Sequence, residues 1–367
     1  MNYREITLRE AIHFKNGKKR PTSEGNIPVY GGNGVLGYAG ESNYEHCIII
    51  GRVGAYCGSV YLEEGKCWVS DNAIAAVPSG DNDTKFFYYL LKGLHLNERH
   101  IGTSQPLLTQ EILNKINCEV PSYPDQQRIA ELLSSLDRKI NVNRKLNDNL
   151  EQQAQSCFQE LFVDNADPEW ATGTISDLGT VVGGSTPSKA KPEYYTESGI
   201  AWITPKDLSI NKSKFISHGE NDITELGLKN SSAAIMPEGT VLFSSRAPIG
   251  YIAIAAGEVT TNQGFKSVVP KPEIGTPFVY FFLKNTLPVI EGMASGSTFK
   301  EVSGSTMKNV PAVIPDAETL AKFSNFCAPI FAQQRILEEQ NQSLAALRDN
   351  LLPRLMSGEI DVSAVQL

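Results

Sequence analysis

The chain has 367 residues, 41% of them hydrophobic and 20% charged, which is typical of a soluble globular protein with roughly two domains of ~150 residues. No run approaches the ~20 consecutive apolar residues that a membrane-spanning helix needs, and the charged residues 1–9 do not resemble a signal peptide, so we expect a cytoplasmic protein. The net charge of −8 argues against a strongly basic nucleic-acid-binding chain, although a near-neutral domain can still carry one basic face.

The six cysteines predict neither a disulfide framework nor a metal site. They form no CxxC pair, and six in a chain of this length are better explained as reduced, small apolar residues. Cys47, Cys57 and Cys67 recur every ten residues, but none has a second metal ligand at a usable spacing. We therefore expect no metal.

The first predicted elements are short strands of a mixed α+β domain. Apolar and β-branched runs at residues 47–50, 59–62 and 73–77 are separated by glycine-rich turns. The preceding segment 32–37 matches the GxGxxG pattern of dinucleotide-binding proteins, but turn residues follow it where that pattern requires a helix. We interpret it as a tight exposed turn.

A long helix is predicted next, beginning at Pro124-Asp125. Its apolar seam alternates steps of four and three residues and consists of Ile129, Leu133, Leu136, Ile140, Asn143, Asn147, Leu150, Ala154, Cys157 and Leu161. At ~1.5 Å per residue, a helix over 125–163 would be roughly 58 Å long, which favours a spacer over an interior helix.

The features of the first 163 residues then recur in the same order. The aromatic run 86–92 matches 278–284 at an offset of 192 residues, and Val120-Pro121 matches Ile314-Pro315 at an offset of 194. The front of the second unit is offset by only 167 residues, so this unit carries about 27 extra residues, which we expect in surface loops.

The second unit also ends in a long helical seam, each position 194 residues after its counterpart. It consists of Phe323, Cys327, Ile330, Gln334, Leu337, Asn341, Leu344, Arg348, Leu351 and Leu355. Two matching seams predict that the helices pair as a coiled coil; the alternative is that each packs only on its own domain. Asn147 and Asn341 share one seam position, and we predict that they fix the helix-helix register.

Pro353 lies inside the second helical pattern, where a proline removes a hydrogen bond and should kink or end the helix. A small terminal element should follow. The sequence leaves open whether it docks on a partner or on the first domain.

No motif indicates catalysis by this chain. It has no GxxxxGK[ST] phosphate loop, no GxSxG elbow, no HExxH zinc pattern, and no [DN]PP[YF] tetrapeptide of the kind that amino-group DNA methyltransferases use. A repeated chain without such motifs is more simply a binding protein, and we expect no catalytic residue in it.

Polar residues near predicted strand ends are candidates for contacts with DNA. Arg52 and Arg246 occupy similar places in the two units, each near glycine after an apolar strand, where an arginine can reach a phosphate or a guanine edge; a surface salt bridge is the alternative. Asn72 and Asn262-Gln263 carry amides suited to adenine, or cap turns. The other candidates are Tyr30, Asn33, Tyr38, Ser104, Gln105, Ser297, Thr298 and Lys300. Two similar domains held at a fixed distance would read two half-sites across an unread spacer.

Several segments closely resemble specificity subunits of type I restriction-modification systems. The strongest is the C-terminal motif LRDNLLPRLMSGEI, and others are PSYPDQQRIA at 121–130, IPVYGGNG at 27–34, AWITPKDL at 201–208, 239–250 and 262–264. Two departures are the absence of a lysine after 103–105 at the place of Lys300, and a looser helix-opening motif at 316–320.

The resemblance implies two target recognition domains joined by two long antiparallel helices with pseudo-two-fold symmetry. The implied boundaries are 1–122 and 165–315 for these domains, 123–164 for the central helix, and 316–367 for the C-terminal helix and tail. Trp202 and Lys206 fall in a matching motif and are implied to contact DNA. The implied partners are methyltransferase subunits that use S-adenosylmethionine to methylate adenine N6, and restriction subunits driven by ATP and Mg²⁺.

Two rival functions remain. One is a coiled-coil scaffold whose two globular domains bind proteins, and the other is a self-contained enzyme acting on nucleic acid, which the absent motifs disfavour.

Overall fold

The computed structural model describes residues 1–102, 105–296 and 300–363. The chain forms two compact units: unit 1 comprises Met1–Asn141 and Asn341–Leu367, and unit 2 comprises Val142–Gln340. Both divisions fall within long helices, so each unit contains one part of each long helix.

The elements of the first part of the chain are short apart from its last helix. The strands are β1 (Arg4–Thr7), β2 (Ile12–Asn16), β3 (Ile27–Gly31), β4 (Gly34–Ala39), β5 (Tyr44–Gly51), β6 (Val60–Val69), β7 (Ala73–Pro78) and β8 (Asn117–Val120). The helices are α1 (Leu8–Ala11), α2 (Thr84–Gly93), α3 (Gln110–Asn114) and α4 (Tyr123–Gln159).

Unit 1 is built on a six-stranded sheet with the order β2-β7-β5-β6-β3-β4. Strand β5 is buried on both faces: Ile48 and Ile50 pack in the cluster that contains helix α2, and Cys47 and Ile49 pack in a second cluster. Helix α2 begins after Asp83, whose carboxylate accepts a hydrogen bond from the Phe86 N–H at 2.8 Å.

The second part of the chain repeats this plan with additions. Its strands are β9 (Ala171–Thr174), β10 (Gly179–Gly183), β11 (Tyr195–Thr196), β12 (Ile200–Ile203), β13 (Phe215–Ile216), β14 (Asn221–Ile223), β15 (Val241–Ser245), β16 (Ile249–Ala255), β17 (Thr260–Thr261), β18 (Lys266–Pro270) and β19 (Pro311–Ile314). Its helices are α5 (Ile175–Leu178), α6 (Pro205–Ile210), α7 (Glu225–Lys229), α8 (Thr276–Met293), α9 (Gly304–Lys308) and α10 (Ala317–Met356).

The sheet order β10-β18-β15-β16 of unit 2 matches β2-β7-β5-β6 of unit 1. The long strand β6 is replaced by two strands, β16 and β17, and β17 belongs to a separate sheet with the order β11-β14-β12-β17. The sequence predicted that the extra residues form surface loops, and this prediction is wrong. They build this second sheet, because residues such as Ile203 and Leu208 bury apolar surface in their own cluster.

The two long helices are antiparallel within unit 2. The Asn143 side-chain amide donates to the side-chain amide oxygen of Gln340 at 3.4 Å, and the Gln334 side-chain amide donates to the Asn147 backbone carbonyl at 3.2 Å. As the residue number on α4 increases, the residue number of its hydrogen-bond partner on α10 decreases, which is the antiparallel arrangement. The α+β class and the pair of long antiparallel helices are confirmed, whereas the register role of Asn147 and Asn341 stays a prediction.

Helix α10 begins at Ala317, where the Asp316 carboxylate accepts from the Thr319 N–H at 2.9 Å. It continues three residues past Pro353 to Met356. The proline thus lies in the last turn of the helix and does not end it at once, because only one backbone donor is lost there.

A buried charge cluster ties the segment before β13 to both long helices of unit 2. The Lys214 ammonium is nearly inaccessible, forms an ion pair with Glu151 and donates to Gln334 at 2.7 Å. Lys284 pairs with the same carboxylate at 2.5 Å. Burial alone would raise the pKa of Glu151, but Lys214 and Lys284 outweigh it and hold that pKa below its usual value. The Lys214 ammonium also lies 3.9 Å from the centre of the Phe331 ring.

Unit 1 has a smaller cluster of the same kind. The Tyr89 hydroxyl of α2 donates to the Asp137 carboxylate of α4 at 2.6 Å, and the Arg348 guanidinium of α10 pairs with that carboxylate at 2.5 Å. In each unit, one carboxylate of α4 therefore connects the long helices to the helix that contains the aromatic run, α2 in unit 1 and α8 in unit 2.

The C-terminal segment packs on the N-terminus within unit 1. The Met1 ammonium pairs with Asp361 at 3.0 Å, the Tyr3 hydroxyl donates to the Leu355 carbonyl at 2.6 Å, and Val362 is buried in the main cluster of unit 1. The structure therefore decides between the two destinations that the sequence left open, in favour of the first domain.

Within the described ranges, no helix is long and apolar enough to cross a membrane. Among the same residues, no group of three or more His, Cys, Asp or Glu side chains is arranged to hold a metal ion.

We predict that Glu151→Gln lowers the free energy of unfolding by about 3 kcal/mol, because it leaves the buried Lys214 charge without its main partner. Glu131→Gln is the matched control, since Glu131 pairs with Arg138 at an exposed site and should contribute less than about 1 kcal/mol. Urea denaturation of both variants measures the difference. Equal stabilities would mean that the buried pair contributes no more than a surface pair.

Candidate nucleic-acid interface

Three backbone segments meet at the end of strand β5 in unit 1. The Arg52 N–H donates to the Asn72 carbonyl at 3.0 Å, and the Leu108 N–H donates to the Arg52 carbonyl at 2.9 Å. Arg52 is half-buried and Asn72 is exposed. The structure thus brings these two predicted residues together on a fixed backbone.

The turn between β3 and β4 lies against the same place. A Cβ built on Gly32 would be 3.6 Å from the Asn72 carbonyl oxygen and 3.7 Å from the Gly51 Cα, so the turn packs closely on both. Asn33, in this turn, is exposed, as is the Tyr38 side chain on β4. Asn33, Arg52 and Asn72 therefore share one surface of unit 1.

Unit 2 repeats this backbone arrangement. The Ser245 N–H donates to the Gly264 carbonyl at 2.7 Å, and the Val302 N–H donates to the Ser245 carbonyl at 3.0 Å. These two bonds make Ser245 the structural equivalent of Arg52. Arg246 is displaced by one residue from the position that the sequence comparison gave it, because backbone pairing and not residue type defines equivalence.

The asparagines of the two units are not equivalent either. The Asn262 N–H donates to Ile203 as the Ser70 N–H donates to Tyr30, so Asn262 corresponds to Ser70 and not to Asn72. The two units therefore share a backbone but present different side chains from it.

Arg246 and Lys300 line a cavity of about 750 Å³ in unit 2. The Arg246 guanidinium lies 3.4 Å from the Glu301 carboxylate, which also pairs with Lys266 at 3.6 Å. About a third of the Arg246 side chain is exposed. A long cationic side chain at the wall of an open cavity can exchange such a carboxylate for a phosphate or a base edge.

Two predicted residues are buried and cannot present their rings to a ligand in this conformation. Tyr30 is 9% exposed and donates from its hydroxyl to Glu63 at 2.9 Å. Trp202 is 6% exposed and donates from its indole N–H to the Ser185 carbonyl at 3.0 Å. Their burial argues against the direct DNA contact that the sequence suggested, and that contact stays a prediction.

The remaining predicted residues are scattered around these surfaces. Lys206 is exposed and bonded to Glu220 at 2.6 Å, which raises the pKa of the lysine. The Asn262 side chain accepts from the Gly264 N–H at 2.8 Å, and Gln263 bonds to Thr186. Gln105 is exposed. The predicted contacts of Ser104, Ser297 and Thr298 fall outside the described residues.

A glycine that the sequence did not single out anchors each unit. A Cβ on Gly17 would lie 2.0 Å from the Ser70 carbonyl oxygen, and a Cβ on Gly184 would lie 2.0 Å from that of Asn262. Only glycine fits such a close backbone approach. The sequence contained a signal for this pair of glycines. Gly17 and Gly184 are 167 residues apart, which is the offset between the N-terminal parts of the two repeated units.

A tryptophan holds the residue after each glycine. The Trp68 indole donates to the Lys18 carbonyl at 3.2 Å, as Trp202 does to Ser185 in unit 2. The main-chain N–H groups of Lys18 and Ser185 are bonded as well, at 3.0 and 2.9 Å. We call each glycine with its following residue a glycine anchor. Each anchor fixes a surface segment beside the candidate residues.

Comparison with known proteins supports a common origin for this architecture. The model of the type I restriction modification DNA specificity domain matches residues 2–152 and 168–348. The chain is 41% identical to the MjaIX specificity subunit of Methanocaldococcus jannaschii over 46% of this chain and 39% of that protein. It is 24% identical to the HindI specificity subunit of Haemophilus influenzae over 70% of this chain and 71% of that protein.

The fold also matches a solved structure. The S subunit of a type I restriction-modification system from M. genitalium aligns with a TM-score of 0.62 and 20% identity, covering 97% of this chain and 96% of that one. At this identity the likeness concerns the fold alone.

We predict that Gly184→Ala lowers the stability of unit 2 by about 2 kcal/mol, because the new methyl group would displace the Asn262 backbone. Gly257→Ala is the control, since no atom lies within 4 Å of a Cβ at that position. Differential scanning calorimetry compares the two. Unchanged transition temperatures in both variants would show that the glycine anchor tolerates a side chain.

Proposed function

Because the chain belongs to the family of type I restriction-modification DNA specificity proteins, we propose that it is the sequence-reading subunit of such a complex. The observation that carries this proposal is the repeated backbone at the strand ends, which presents Arg52 in unit 1 and Ser245-Arg246 in unit 2. One backbone with two different sets of side chains suits a bipartite DNA site with unlike halves.

In this proposal each unit reads one half-site. The surface formed by the exposed Asn33 and Asn72 and the half-buried Arg52 offers an arginine for guanine and amides for adenine in unit 1. In unit 2 the cavity wall with Arg246 and Lys300 offers cations, and Gln263 an amide. Tyr30 and Trp202 support these surfaces from within.

The long helices set the spacing between the half-sites and dock two methyltransferase subunits. Those subunits bind S-adenosylmethionine and methylate adenine N6, and ATP- and Mg²⁺-dependent restriction subunits complete the complex. This chain contributes no catalytic group, which is supported by the absence of catalytic motifs from its sequence. Its partners supply much of the phosphate contact, which is compatible with the net charge of −8.

The rival function of a protein-binding scaffold without DNA specificity receives no support from the comparisons. The family match spans both repeats, and the named relatives are specificity subunits.

The proposal is tested by expressing the tagged chain with its genomic neighbours, isolating the complex and sequencing host DNA for methylated adenines. We expect a co-purifying methyltransferase and a split methylated sequence with a fixed gap. A chain that purifies alone and leaves host DNA unmethylated would contradict the proposal.

We predict that Arg246→Ala relaxes the sequence preference of one half-site only, because a lost bidentate contact to a base costs about 1–3 kcal/mol in discrimination. Arg335→Ala is the control: that arginine also pairs with carboxylates and has the same side-chain exposure of 37%, but it lies on α10. Methylation mapping gives the readout. An equal loss at both half-sites would assign Arg246 a structural role.

A further inference from the structure

Three consecutive cationic residues, Lys18, Lys19 and Arg20, follow Gly17 in unit 1 and are accessible to solvent. Among the residues that the structure describes, no carboxylate lies within ion-pair distance of Lys18 or Lys19. The neighbouring Glu41 carboxylate accepts from the Ser23 hydroxyl at 3.1 Å. Lys18 and Lys19 therefore carry charge that the fold does not neutralise, in a protein whose net charge is negative.

The backbone of this run is fixed before any ligand binds. Both the N–H and the carbonyl of Lys18 are bonded, the first to Val69 at 3.0 Å and the second to the Trp68 indole at 3.2 Å. Because the main chain is already ordered, contact with a ligand would cost only the side-chain freedom of the lysines.

The run lies beside the candidate reading surface of unit 1. Lys18 forms an isolated β-bridge with Ser70, two residues before Asn72. The Arg20 guanidinium lies 3.4 Å from the carbonyl oxygen of Tyr38 on strand β4, the strand that follows the Asn33 turn. The three cations therefore lie next to the surface formed by Asn33, Arg52 and Asn72 and are not part of it.

Unit 2 has the same anchor without the charge. Ser185, Thr186 and Pro187 follow Gly184. The Ser185 N–H is bonded as the Lys18 N–H is, and its carbonyl also accepts from a tryptophan indole, here that of Trp202 on β12. Thr186 is already bonded to Gln263. The two units thus differ at one structurally equivalent place by three positive charges.

We propose that Lys18, Lys19 and Arg20 bind backbone phosphates next to the half-site read by unit 1, so that the two half-sites are held by different chemistry. Unit 1 positions its half-site by charge, and unit 2 relies at this place on neutral groups. Phosphate contacts fix register without carrying sequence information. The inference rests on the proposed function. It adds which DNA atoms, the backbone phosphates, this surface of unit 1 contacts.

The test compares the methyltransferase complex containing the wild-type chain with one containing Lys18→Ala/Lys19→Ala. The probe is a duplex carrying the split sequence found by methylation mapping, and affinity is measured at several salt concentrations. Each lost phosphate contact reduces the slope of log K against log salt by roughly 0.9, so we expect a reduction of roughly 2 with an unchanged methylated sequence.

Further variants separate phosphate contact from the effect of net charge. Lys115→Ala/Lys229→Ala changes the net charge equally, but these lysines pair with Glu111 and Glu225, so their loss should leave the slope unchanged. Lys18→Arg/Lys19→Arg keeps the charge and should keep the slope. In the reverse direction, Ser185→Lys should steepen the slope by roughly 1.

An unchanged slope in Lys18→Ala/Lys19→Ala would overturn the inference, as would a changed methylated sequence, which would mean that the lysines read bases. An equal reduction of the slope in Lys115→Ala/Lys229→Ala would mean that the slope depends only on net charge, and this would also overturn the inference. A wild-type complex that methylates no split sequence would instead contradict the proposed function itself.

Discussion

Two half-buried carboxylates on helix α4 hold the globular part of each unit onto the long helices. Asp137 lies in the part of α4 that belongs to unit 1, and Glu151 lies in the part that belongs to unit 2. Asp137 binds Tyr89 and Arg348 within unit 1, and Glu151 binds Lys214 within unit 2. Because a poorly solvated charge without its partner is strongly unfavourable, each pair holds a globular region to the part of α4 in its own unit.

A second constraint governs the surfaces that the units present. Gly17 and Gly184 permit a backbone approach that no other residue allows, and the N–H of the residue after each glycine is bonded in an equivalent way in the two units. The side chains carried by this backbone are free to differ, as Arg52 and Ser245 show. A constant backbone with variable side chains is what a protein needs if each half reads a different sequence, since the geometry survives when the readout changes.

The net charge of this chain does not predict which surfaces are positive, because that depends on which cations are paired with carboxylates. Many cations are already paired, as Lys206 is with Glu220, and they neutralise the protein's own carboxylates. The run that begins at Lys18 has no such partner for its two lysines among the described residues, so it generates a local positive field that the net charge of −8 conceals. An acidic protein can therefore contain one surface suited to a phosphate backbone.

The sequence by itself determined the repeat, the two long helices and the family, because periodicity and motifs are written in consecutive residues. It did not determine which residues are equivalent: Arg52 corresponds to Ser245 only through hydrogen bonds with segments far away in the chain. Nor did it show that Tyr30 and Trp202 are buried, or that the segment around Asp361 packs against Met1. Those features depend on contacts between residues distant in sequence, and only the tertiary structure brings such residues together.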